Sequence, residues 1–104
     1  MSYEMLVGLH VIDDEQYQAY RTAMKPILDI YGGGFGYDFK IAETLRSETP
    51  DIINRVFTIH FPDSHKMDQF FSDADYLKAK EQFFEVSVAS TTIIAGYEKA
   101  AIEP

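Results

Sequence analysis

Apolar and polar positions alternate from the start of the chain. Tyr3, Met5, Val7, Leu9 and Val11 fall on one side of an extended segment, and Glu4, Leu6, Gly8 and His10 on the other, which predicts a strand over residues 3–11. Asp13 and Asp14 then suit a strand end and a helix N-cap. From there the period changes: Tyr17, Tyr20, Met24, Ile27, Leu28 and Tyr31 share one helical face, and Gly32 follows where a left-handed C-cap is wanted. Pro26 lies inside this helix and predicts a kink or a break.

The period of two returns after the glycines. Phe35, Tyr37, Phe39 and Ile41 alternate with Gly36, Asp38, Lys40 and Ala42, giving a second strand over residues 35–46. Turn residues including Pro50 separate it from a third strand over residues 53–61, so the two read as a hairpin. Pro62, Asp63 and Ser64 end that strand and open a short helix carrying Met67, Phe70 and Phe71. Asp73 and Asp75 predict a break and a fresh cap before a second helical piece with Tyr76, Leu77, Lys80 and Phe84. A last strand covers residues 88–97.

The order is therefore βαββαβ in one domain of 104 residues, with a core of about 3–98 and a C-terminal tail at 99–104. The fold class is α+β and ferredoxin-like: a four-stranded antiparallel sheet with its helices on one face. The other face is left bare, lined by Leu6, Val56, Ala42 and Ile94 among polar residues. A mixed apolar face of that kind calls for a second copy of the chain, so a homodimer through the open sheet face is expected.

Composition narrows the functions. With 17 acidic against 9 basic residues, a net charge of −8 and no basic cluster, neither nucleic acid nor an anionic membrane surface is an expected partner. No cysteine is present, which removes disulfides, thiolate metal sites and cysteine nucleophiles. The N-terminus lacks a signal-peptide pattern and no apolar run is long enough for a membrane span, so a cytoplasmic location is expected.

The spacing of Tyr31-Gly32-Gly33, Phe61-Pro62, the stretch Ser72 to Tyr76 and Gly96 resembles the family known as domain of unknown function 1330. The resemblance covers nearly the whole chain and implies the dimeric α/β-barrel superfamily, in which two sheets pack face to face around a cleft. It implies no particular activity, since that superfamily includes cofactor-free monooxygenases, isomerases and haem enzymes. Members of the family usually carry an Arg some residues after the position of Tyr76, whereas Phe83, Phe84 and Glu85 stand there in this chain.

The candidate chemistry lies on the bare face. With strands one and three taken as parallel neighbours, His10 falls beside His60, and with Val56 opposite Ala42, Asp38 falls across from His60. An Asp-His-His set in a water-poor cleft suits general acid–base catalysis, with Asp38 fixing the tautomer of His60 and His10 titrating near neutral pH. These three are the expected catalytic residues of a homodimeric small-molecule enzyme of oxygenase or isomerase type, with no cofactor and no metal. The alternative is a non-catalytic dimer whose cleft only binds a small ligand or packs. Gly32, Gly33 and Gly34 lead from helix into strand, the reverse of a phosphate cradle. Tyr17, Tyr20 and Tyr31 are read as buried core, although they stand where a pocket between helix and sheet would lie.

Overall fold

The structure, a computed structural model, describes residues 2–100. Its elements are β1 (Ser2–Val11), α1 (Asp14–Ile30), β2 (Gly34–Lys40), β3 (Arg55–Phe61), α2 (Ser64–Ser72), α3 (Ala74–Ala79), a π-helical turn (Lys80–Phe84), a single helical turn (Glu85–Ser87) and β4 (Val88–Lys99). The sheet has the order β2-β3-β1-β4 with every neighbouring pair antiparallel. This is the expected ferredoxin-like α+β fold. The last strand runs on to Lys99, and residues 101–104 of the expected tail lie outside the described residues.

One assumption about the sheet fails. β1 and β3 are antiparallel, not parallel. The helical crossover after β1 returns β2 in the same direction as β1, and β3, hairpin partner of β2, must run against both.

Each helix is set by its caps. Asp13 accepts from the Gln16 amide at 3.1 Å to start α1. At the other end the amides of Gly32 and Gly33 bond the carbonyls of Asp29 and Leu28, with Gly32 at φ +72, a conformation that strains any residue with a Cβ. Pro26 does not break α1, which is continuous from Asp14 to Ile30. The proline stands on the exposed face, where water can serve the carbonyl that loses its amide partner. Asp73 ends α2 and begins α3, its Oδ1 accepting from the amides of Asp75 and Tyr76 at 2.8 and 3.0 Å.

The core lies between helices and sheet. Val7, Leu9 and Val11 of β1 and Phe57, Ile59 and Phe61 of β3 meet Tyr17, Tyr20, Met24 and Leu28 of α1, with Phe70 and Tyr76 closing the far side. Complete burial of Leu28 or Phe70 is worth about 1.5–3 kcal/mol each in transfer free energy. Among the described residues no helix is long and apolar enough to cross a membrane.

β2 is shorter than its alternation predicts. It ends at Lys40, and the chain then leaves the sheet through residues 41–54, where Leu45 and Ile52 are exposed. Asn54 fastens the return: its side chain accepts from the Val11 amide at 2.7 Å and donates to the Val11 carbonyl at 2.8 Å.

Candidate functional site

β2 also carries a bulge that reverses its expected faces. The register moves from Phe35 opposite Ile59 to Asp38 opposite Phe57, so Gly36 and Tyr37 share one partner, Thr58. The Tyr37 amide donates to Thr58 Oγ1 at 2.7 Å, and a Cβ on Gly36 would stand 2.5 Å from that same oxygen. Glycine is the residue that fits there. Beyond the bulge, Asp38 turns to the helix side, and Tyr37 and Phe39 stack on each other in the open, with centroids 5.8 Å apart.

The three expected site residues are therefore not brought together within one chain. His60 is opposite Glu4 of β1 and Gly34 of β2, whereas His10 lies six residues further along β1. At the rise of an extended strand that separates the imidazoles by roughly 20 Å. Both remain half-buried on the open face. Asp38 is on the opposite side of the sheet, bound in bidentate fashion by Arg55 at 2.8 and 2.8 Å and by Arg21 Nη1 at 3.3 Å. The Arg55 guanidinium, foremost, holds the Asp38 carboxyl below the usual carboxylate range. No cluster of three or more His, Asp or Glu side chains fit to hold a metal occurs among the described residues.

What the helix side encloses instead is a cavity of about 250 Å³ between α1, α3, the π-helical turn and the sheet. Its walls are largely apolar, and they include the exposed Thr91 and Ile93 of β4. Five polar side chains of the helical layer converge on it. Tyr17 and Arg21 sit one turn apart on α1, with Arg21 Nε donating to the Tyr17 hydroxyl at 2.7 Å. Tyr20 of α1 and Tyr76 of α3 share a buried hydrogen bond of 2.9 Å. Lys80, half-buried at the first position of the π-helical turn, completes the set.

Local sequence explains this placement. The spacing Tyr17, Tyr20, Arg21, Met24 puts all four on the inward stripe of α1. The wide π-helical turn brings both Lys80 and Phe84 to the cavity wall, and Ser87 braces its end by donating to the Phe83 and Phe84 carbonyls at 2.7 and 3.2 Å. Where the family resemblance leads one to expect an Arg, Phe84 packs on Tyr20 at 4.9 Å, and the cavity's positive charge comes from Arg21 and Lys80.

Burial pushes the Tyr20 phenol well above its ordinary pKa of 10.0, reinforced by Tyr76, and burial likewise raises Tyr76. Tyr17 is also raised by burial, against the opposing pull of Arg21. At neutral pH all three are proton-bearing hydrogen-bond donors. None of the residues lining the cavity is a carboxylate or an imidazole. Tyr31 is outside the lining; its hydroxyl donates to Asp73 Oδ2 at 2.7 Å and ties α1 to the joint between α2 and α3.

The chain belongs to the family described as domain of unknown function (DUF1330), whose model matches residues 3–97. No functionally curated protein matches it. Among solved structures it is similar to the RPA0582 protein of unknown function from Rhodopseudomonas palustris, with a TM-score of 0.78 at 17% identity over 97% of this chain and 84% of the other. A dabb-family protein with a ferredoxin-like fold from Mesorhizobium loti matches with a TM-score of 0.59 at 16% identity, covering 96% of this chain and 98% of that one. SnoaB, a cofactor-independent oxygenase from Streptomyces nogalater, matches with a TM-score of 0.57 at 10% identity over 99% and 95%. At these identities the likeness is one of fold, that of the dimeric α/β-barrel proteins.

Proposed function

We propose that this protein is a small-molecule enzyme that works without a bound cofactor, that its ligand occupies the cavity between helices and sheet, and that two chains pair through their open sheet faces. The observation that carries the reading is the convergence of Tyr17, Tyr20, Tyr76 and Arg21 on a preformed, largely apolar cavity. Donors fixed in a water-poor site stabilise negative charge as it develops on an oxygen, as when a ketone or phenol is converted to its enolate or phenolate and its proton passes to solvent water, the lining holding no carboxylate or imidazole to take it. The fold shared with a cofactor-independent oxygenase is compatible with such chemistry. Pairing is supported by the open face, where the Tyr37–Phe39 stack is exposed together with Ile94 and Tyr97.

The test is turnover of a panel of enolisable ketones and hydroquinone-type phenols in air, with no added cofactor, followed by oxygen uptake and product mass. Turnover that Tyr20→Phe lowers by about 10²-fold, the usual scale for one such donor, supports the reading. Binding without turnover of any compound leaves a ligand-binding protein in its place, an outcome consistent with the lack of a carboxylate or imidazole in the lining.

His10 and His60 favour a second reading of the same dimer. Both lie on the open face, so a partner chain covering that face would enclose them, and acid–base chemistry there would use imidazoles from opposite ends of the sheet. Asp38 has no part in it, being on the helix side. Unchanged turnover in a variant with both His10→Gln and His60→Gln ends that reading.

A further inference from the structure

We infer that the ligand of the cavity is a small organic anion: an aromatic or otherwise apolar body bearing one carboxylate, phenolate or enolate oxygen group. The inference rests on the reading that the cavity is the binding site, and deepens it. Its basis is an imbalance of hydrogen-bonding groups. Arg21 spends Nε on Tyr17 and Nη1 on a long contact with Asp38, while its Nη2 is buried and has no partner among the described residues. The guanidinium plane lies against Phe35 at 4.0 Å and Phe57 at 4.8 Å, rings that offer no acceptor oxygen. In the Tyr20–Tyr76 pair one hydroxyl hydrogen is used between the two and the other is left over. Tyr17 accepts from Arg21, so its own hydrogen is also free. Lys80 forms no ion pair among the described residues.

The lining thus holds unspent donors and two cations, with no carboxylate to meet them. Asp38 does not restore the balance, because its single charge is shared between Arg21 and Arg55. That leaves a positive, donor-rich cavity in a chain whose net charge is −8. A neutral apolar ligand would leave the free phenol hydrogens unmet and the two cations without a counter-charge, whereas an anionic oxygen in the cavity meets a phenol hydrogen and lies beside the Arg21 and Lys80 charges. The volume, about 250 Å³, fits a ring system of one or two rings.

The experiment compares 2-naphthoate with its neutral counterpart 2-naphthamide at pH 7 by naphthyl fluorescence, which is clean because the protein has no tryptophan. We expect naphthoate to bind at least ~10-fold more tightly, the factor that one added charge-assisted contact supplies. Arg21→Gln should bring the ratio of naphthoate to naphthamide affinity to within about twofold of one, whatever it does to the two affinities together. Should Arg21→Gln not fold, Lys80→Gln at its half-buried position tests the same charge and weakens naphthoate alone. Equal affinity of the two probes, or a preference that survives both substitutions, overturns the charge selection and leaves the cavity reading standing. Failure of both probes to bind overturns the cavity reading and this inference with it.

Discussion

The two faces of the sheet are made by the same strands and end up chemically opposite. On the helix side, β1 and β3 contribute Val7, Leu9, Phe57 and Ile59 to a closed core, and the phenols and cations that line its cavity are donors. On the open side, aromatic rings stand exposed while an acid is covered: Tyr37 and Phe39 face solvent, yet Glu4 is only 4% exposed, under the Tyr97 hydroxyl and Lys99. The difference teaches that placement on a named face does not by itself decide burial. What decides it is whether neighbouring side chains of the same chain can reach across, as Tyr97 does for Glu4 and nothing does for the Tyr37–Phe39 stack.

The contrast can be broken first from the core side. Phe61→Ala removes a fully buried ring packed between Phe70 and Phe71, and should cost about 3–5 kcal/mol in chemical unfolding. A loss below ~1 kcal/mol would mean that the helix side is not the stabilising face. Next comes the buried acid of the open side. Glu4→Gln exchanges charge-assisted bonds to Tyr97 and Lys99 for neutral ones and should cost about 1–2 kcal/mol, measured the same way.

Titration separates the two groups of polar residues. Burial raises Tyr20 and Tyr76 in the fold, so the unfolded chain loses these protons first as pH climbs. Their contribution is full below the unfolded value of 10.0 and falls as pH rises past it. Thermal melts should therefore show an alkaline decline that the double variant Tyr20→Phe and Tyr76→Phe makes shallower. Asp38, lowered mainly by Arg55, has the opposite sign: its contribution is present above its unfolded value of 3.8 and is lost as pH falls below it. Asp38→Asn should flatten that acid limb. The smallest effect on stability belongs to the exposed stack. Tyr37→Ser with Phe39→Ser should leave unfolding within ~0.5 kcal/mol while shifting the proposed dimer to monomer by light scattering.

Much of the architecture was legible from periodicity. The two-residue alternation of residues 3–11 and the helical stripe of Tyr17, Tyr20, Met24 and Leu28 survive in the fold, the strand expected over 53–61 forms from Arg55 to Phe61, and the break with a fresh cap falls at Asp73. The candidate site was not legible, for identifiable reasons. Alternation cannot report a bulge, and the one at Gly36 and Tyr37 moves Asp38 through the sheet. The direction of β3 follows from connectivity rather than from residue pattern, and reversing it separates His10 from His60. Arg21 was passed over because a lone basic residue on a helix usually points to water. Its spacing of four from Tyr17, on the inward stripe, was the signal that could have found it.

The clasp at Asn54 has a practical consequence. Because Asn54 holds the end of β1 by both polar atoms of its amide, and its backbone carbonyl receives the Ile41 amide, the span from 41 to 54 is pinned at its base before the chain rejoins the sheet. Loop-closure entropy grows only slowly with length, so added residues near Glu48 would lengthen an already closed loop at little cost. That stretch offers a place to graft an affinity tag or a fluorescent reporter onto this domain without touching the cavity or the sheet.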